Sequence, residues 1–168
     1  MDYIWRMVVD SSASLAIYSD THTAAEVTST LGIEPTTGGE IGDAKHPPRI
    51  GGDGTPARQF FYNQATWIFD IPEGQDSDDE SGFASVRQLV DAFRDKSQEL
   101  AQLRINYRTV IWWSGQSDSF QGGFVIPADL LSDLGALGCD LFGTVYTGEG
   151  DDPESIPGHL EPPEIAVE

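Results

Sequence analysis

Two distant stretches of this chain repeat one plan, and that repetition restricts the fold more than any other feature. Leu15-Ala16-Ile17-Tyr18 runs into Ala24-Ala25-Glu26-Val27-Thr28-Ser29-Thr30-Leu31-Gly32-Ile33. Phe124-Val125-Ile126 runs into Ala128-Asp129-Leu130-Leu131-Ser132-Asp133-Leu134 and then Leu137-Gly138-Cys139. Each reads as a strand, a short helix, a Leu-Gly stop and an apolar exit. With a longer amphipathic helix between them, these pseudo-repeated strand–helix halves point to an α+β fold. We expect an antiparallel or mixed sheet with helices mainly on one face, ferredoxin-like in spirit.

Local signals fill in the order of elements. Tyr3, Trp5, Met7 and Val9 alternate with Ile4, Arg6 and Val8, which predicts a strand; after Asp10-Ser11-Ser12 the alternation resumes at Leu15. Thr23-Ala24-Ala25-Glu26 is a capping box that opens a helix, and Gly32 ends it. Residues 36–58 are rich in Gly and Pro and read as a long loop. Strands are predicted over 60–62 and 65–70, and a polar break over 72–82. Phe83, Val86, Val90, Phe93, Leu100 and Leu103 then mark one helical face, interrupted near Ser97. Residues 108–113 and 119–126 read as a hairpin joined by Ser114-Gly115-Gln116-Ser117-Asp118. Pro127 opens a short helix, Gly135 or Gly138 closes it, and 139–146 is a last strand. Residues 1–147 therefore read as one domain, and 148–168 as an acidic, Pro-rich tail of poor order.

Charge narrows the partners. The 168 residues carry 28 acidic and 9 basic side chains, a formal net charge of -19. Such a surface repels nucleic acid and anionic membranes, and favours a basic protein partner. The single cysteine, Cys139, excludes an internal disulfide. Neither a signal peptide nor a membrane-spanning run is expected, and the reading is cytoplasmic.

No motif carries a reaction. His22, His46 and His159 lack metal-ligand spacing. The run Asp76-Ser77-Asp78-Asp79-Glu80 suggests a calcium loop, but Ser81 and Arg87 stand where that loop needs Gly and Glu. Gly51-Gly52-Asp53-Gly54 lacks the Lys-Ser/Thr ending of a phosphate cradle, and there is no Gly-x-Ser-x-Gly elbow. Cys139 reads as a small buried hydrophobe. No catalytic residue, metal or cofactor is expected.

The order of Thr23-Ala24-Ala25-Glu26-Val27, Leu31-Gly32-Ile33-Glu34-Pro35, a Gly-rich loop, Trp67, a long helix, Ile126-Pro127-Ala128-Asp129-Leu130-Leu131 and Leu137-Gly138 before a strand ending at Tyr146 resembles a small bacterial family, domain of unknown function 4279. The resemblance spans about Leu15 to Tyr146. It implies the fold and no activity.

The function expected is therefore a non-catalytic acidic protein-binding domain, such as an immunity or antitoxin-type inhibitor of a basic partner. Asp76, Asp78, Asp79, Glu80 and Asp118 supply the charge that would face that partner. Trp112 and Trp113 are adjacent on one predicted strand and must point to opposite faces. One packs in a core with Ile111; the other is covered by another element or lies at an interface. We assign Trp112 to the partner-binding set. The alternative is a small anionic-ligand module or enzyme in which His46, Arg49 and Arg58 of the Gly/Pro-rich loop contact the anion. Between the two uses of Lys45, Arg49 and Arg58, we expect them to hold that loop to the protein's own acidic surface rather than to meet an anion.

Overall fold

The computed structural model describes residues 8, 10–50, 55–74, 81–117 and 125–147. In chain order they form β1 (Asp10–Ser19), α1 (Ala24–Leu31), β2 (Thr37–Gly39), β3 (Ala65–Gly74), α2 (Ala84–Phe93), a 3-10 turn (Arg94–Lys96), α3 (Ser97–Leu103), β4 (Arg108–Ser117), α4 (Ala128–Leu137) and β5 (Asp140–Thr147). The sheet order is β2-β3-β1-β4-β5. The first four strands pair antiparallel, the β-α-β-β-α-β arrangement of ferredoxin-like domains. β5 adds to β4 in parallel, which requires a crossover, and α4 supplies it.

Strand alternation sorts the side chains. Ala13, Leu15 and Ile17 pair across to Ile71, Phe69 and Trp67 on one side and to Trp113, Ile111 and Thr109 on the other. These residues point to one face. There they join Val27 and Leu31 of α1, Val86, Leu89, Val90 and Phe93 of α2, Leu100 and Leu103 of α3, and Leu130, Leu134 and Leu137 of α4 in a single apolar core. Aromatic contacts fix its centre. Phe93 meets Trp67 and Phe69 edge-on, at 6.3 and 5.3 Å, and Phe83 stacks on Trp113 at 4.5 Å.

Both short helices close as their Leu-Gly stops predict. Gly32 and Gly138 adopt φ +66°, the left-handed conformation that costs glycine least, and their N–H groups return to Thr28 and Leu134. Over Gly138 lies the Arg104 guanidinium, which donates to the Leu137 carbonyl. The second half of the pseudo-repeat is looser than the sequence implied. Pro127 is the N-cap of α4, and residues 125–127 are not a strand.

The capping box on α1 is complete. Glu26 N–H donates to the Thr23 hydroxyl and Thr23 N–H to the Glu26 carboxylate. Tyr107 donates its phenol proton to the same carboxylate and to the Thr23 carbonyl, each at 3.0 Å. The Thr23 backbone N–H, and then the Tyr107 hydroxyl, hold the Glu26 carboxyl below its usual range. A depressed carboxyl contributes stability above its unfolded pKa, about 4.3, and loses it as pH falls. Glu26→Gln keeps the geometry of the box and removes the titration. We expect its urea midpoint to fall less steeply than the wild type's below about pH 4.3. Burial, and then the bond to Glu26, raise the Tyr107 phenol far above its ordinary value; that contribution is present at neutral pH and is lost only in strong alkali.

Several expectations change. The predicted helix over 83–103 bends at Arg94–Lys96, one turn before its apolar stripe resumes at Leu100. The N-terminal alternation allowed one long strand or two; β1 begins at Asp10 and includes Ser11 and Ser12. β3 continues past Asp70 to Gly74, into the predicted polar break. Pro72 is tolerated there because the register against β1 shifts between Ser11 and Ala13, a bulge where a missing N–H costs no ladder bond. The predicted 114–118 hairpin is replaced by strand through Ser117, paired with β1 and β5. Gly115 serves there for space, not for a turn. A Cβ on it would sit 2.9 Å from the Trp113 ring, and one on Gly143, across from Trp113, 3.2 Å from it.

The long loop is also more ordered than its composition suggested. After β2 the chain forms an irregular hairpin, bridged at Ala44–Phe61 and Ile50–Pro56. Its backbone bonds include Gly42 N–H to Tyr62 O and Lys45 N–H to Phe60 O, both 2.8 Å. Phe61 makes an isolated bridge in place of the predicted 60–62 strand. Glu40 ties this ribbon to α1, its carboxylate accepting from the Ala24 and Ala25 N–H groups. Of the predicted 3–9 strand, Val8 is described, buried in the core beside Gly82 and Gly115. The remainder of that strand, the predicted 119–124 segment and the 148–168 tail lie outside the described residues.

Candidate functional site

The second face of the sheet follows from the same alternation. Ser12, Ser14, Ala16 and Tyr18 of β1, Thr66, Ile68 and Asp70 of β3, Trp112 and Ser114 of β4, and Phe142, Thr144 and Tyr146 of β5 all point away from the helical core. Ala16, Tyr18 and Ile68 form a small second cluster with Val110 and Trp112. No residue of the described helices belongs to it. A hollow of about 230 Å³ opens on this face, walled by Tyr18, Ile68, Trp112, Phe142 and Tyr146, with Ser12, Ser14, Ser114 and Thr144 among its lining.

The walls are buried at the centre and open at the edge. Trp112 and Phe142 pack with ring centres 4.6 Å apart and planes at 58°. Phe142 and Tyr146, on the outermost strand of the described sheet, are 41% and 48% exposed, whereas Tyr18 and Ile68 are buried. These large side chains, left open beside each other, form a contiguous apolar surface on the sheet. The Arg108 guanidinium lies 5.0 Å from the Tyr18 ring. Ser14 donates to Asp70 at 2.6 Å, Thr36 donates to the same carboxylate at 2.7 Å, and Ser12 and Ser114 share a bond of 2.8 Å.

Burial raises the Tyr18 phenol pKa; the Trp112 N–H and Arg108 oppose that shift, and Asp70 adds to it. The Trp112 indole N–H is itself buried without a hydrogen bond of good geometry. It lies near enough to the phenol to favour the phenolate without making a hydrogen bond to it. An unmade bond of this kind costs about 1–3 kcal/mol. We therefore expect Trp112→Phe, which removes that N–H along with some apolar area, to shift stability by less than about 1 kcal/mol in urea unfolding.

The expected partner set divides. Trp112 sits on the open face, and Trp113, beside Ile111, is the core tryptophan. Asp76, Asp78, Asp79, Glu80 and Asp118 lie outside the described residues. Of the alternative set, His46, Arg49 and Arg58 are all exposed on the ribbon. Arg58 lies over the Phe60 ring at 5.3 Å and Lys45 over Tyr62 at 5.5 Å. Among the described residues these two cations thus lie on aromatic faces; whether the loop is also held to acidic surface involves segments outside the described residues. Among the described residues the ion pairs join Arg87 to Asp129, Arg94 to Asp91 and Asp133, and Lys96 to Glu99, all at least partly exposed. Cys139 is half-buried against the core, and burial raises its thiol pKa.

Sequence reasoning missed Tyr18, Ile68, Phe142 and Tyr146. The alternation Phe142-Gly143-Thr144-Val145-Tyr146 carried a signal, two rings on the face opposite Leu141 and Val145. Among the described residues no three His, Cys, Asp or Glu gather where they could hold a metal, and no helix is long and apolar enough to cross a membrane.

Residues 9–147 match the model of a domain of unknown function, DUF4279, and the chain belongs to that family. No curated protein and no solved structure matches it.

Proposed function

We propose that this DUF4279 member is a non-catalytic binding domain, of the immunity or antitoxin-inhibitor type, which docks a basic protein partner on the open face of its sheet. The observation that carries the reading is the aromatic hollow around Trp112 on a chain of net charge -19. Its volume supports one ligand class over the other. At about 230 Å³ it falls below the roughly 300–1,000 Å³ of small-molecule clefts and suits a single anchoring side chain. Buried aromatic centres with open rims are where interface energy concentrates. The acidic surface then steers encounter, toward about 10⁸ M⁻¹s⁻¹ at low salt. The ribbon's His46, Arg49 and Arg58 support the anionic-ligand reading less well, because they are exposed along a hairpin and not gathered around a hollow.

The test is capture of a partner from native lysate, beginning with basic products of neighbouring genes, followed by association kinetics across a salt series. The reading requires a basic partner whose association slows by about tenfold or more between 0.05 and 0.5 M salt. A salt-indifferent rate would sink it.

A further inference from the structure

We infer that the outer edge of β5 pairs antiparallel with β5 of a second copy of this chain, joining two sheets into one. The pairing concerns the edge of the sheet and does not rest on the docking reading of its open face. Three observations carry it. The first is the edge itself. Among the described residues β5 has a neighbouring strand on one side only. Gly143, in mid-strand, is exposed although the Trp113 ring lies against it. The free N–H and C=O groups of such an edge invite a further strand, and proteins blunt that tendency with short edges, proline or charge. The opposite edge is short: β2 has three residues and runs into the bridged ribbon. β5 has eight, with no proline and no charge after Asp140.

The second is the self-complementarity of β5. A two-fold axis through Thr144 pairs every uncharged residue from Leu141 to Thr147 and leaves Asp140 outside the pairing. Moving the axis to Gly143 sets Asp140 against Tyr146 of the second copy, and moving it to Val145 shortens the ladder. With Thr144 on the axis, Phe142 lies opposite Tyr146 of the second copy on the open face, and the symmetry makes that pair twice. Gly143 lies opposite Val145 on the core face. Phe142 and Tyr146 are both exposed in the single chain, and directly opposed aromatic rings are among the stabilising cross-strand pairs.

The third is the helix beside that edge. α4 meets α2 and α3, and its Asp129 and Asp133 reach Arg87 and Arg94 on that side. α2 packs on β1 and β3, so the opposite side of α4 is turned toward the outer edge of β5. Leu131, midway in sequence between the two aspartates, falls on that opposite side and is 52% exposed. A Cβ on Gly135, one turn further, would meet nothing within 4 Å. The two-fold that pairs the strands brings the same uncharged side of the second α4 toward this one. Two chains of net charge -19 repel, and here they meet without opposing carboxylates.

One strand edge with one helix beside it lies at the lower end of specific interfaces, about 1,200 Å² in total, so the dimer is weak. Sedimentation equilibrium of the full chain from about 1 to 300 µM, at about 0.05 and 0.5 M salt, should show monomer and dimer in an equilibrium that tightens at least about threefold at the higher salt, where screening relieves the repulsion. Association with a basic partner has the opposite salt dependence, so the two readings fail separately. Thr144→Lys sets two ammonium groups against each other across the axis, and Leu131→Glu puts a carboxylate where the helices approach. Each should weaken the dimer at least about tenfold. Hydrogen exchange of the β5 amides that point away from β4 should slow as protein concentration rises. A monomer throughout, a dimer that weakens with salt, one that tolerates either variant, or one that forms with no change in β5 exchange would each overturn the assignment.

Discussion

Trp113→Ala is expected to destabilise the fold by about 3–5 kcal/mol, the range for deleting a buried large aromatic side chain. Tm should fall by roughly 6–20 °C, given about 2–4 °C per kcal/mol for a domain of this size. The cost has three sources. The ring is 2% exposed and stacked on Phe83, so its removal leaves a void between α2 and the sheet. Its N–H donates to the Gly82 carbonyl at 3.2 Å in a buried setting, and that acceptor loses its partner. Gly115 and Gly143 offer no side chain to refill the space, because the ring occupies the positions their Cβ atoms would take. Thermal and urea unfolding measure the loss. A change below about 1 kcal/mol would mean that Trp113 is not the core tryptophan.

The contrast with its neighbour shows what local sequence encodes. That Trp112 and Trp113 face opposite ways follows from the period of a strand. Which one is buried depends on where the helices pack, and adjacency alone does not say. Chain-local signals were legible wherever a single segment carried the whole cause. The Thr23/Glu26 box and the two glycine stops are of this kind, and so is the interruption near Ser97. Signals with a remote cause misled. Ser114-Gly115-Gln116-Ser117 has the composition of a turn, yet Gly115 is small because the remote Val8 side chain and the Trp113 ring close over it, and Gly143 of β5 lies against that same ring. Pro72 looks like a strand end, yet it lies in a bulge of β3, where two residues oppose Ser12 of β1. The candidate site was least legible for the same reason. Tyr18, Ile68, Trp112 and Phe142 come from four strands, and only the sheet order β3-β1-β4-β5 brings them together.

Phe142→Ser should weaken binding of the basic partner by at least about 2 kcal/mol, some 30-fold, at a smaller cost to the fold than a core substitution such as Trp113→Ala. The asymmetry follows from exposure. A ring that is 41% open in the free protein gives up only part of a full burial on substitution, whereas a bound partner would cover it fully. The kinetics should separate the anchor from the surrounding charge. Losing the aromatic wall removes contacts made only after docking, so dissociation should accelerate and association change little. Raising salt weakens steering before docking, so association should slow and dissociation change little. Tyr146→Ser, also open and on the same strand, should repeat the Phe142 pattern with a smaller amplitude. Stopped-flow association and surface-based dissociation measure the two rates independently. If Phe142→Ser instead slowed association and left dissociation alone, the ring would not be an anchor, and binding would rest on the acidic surface itself.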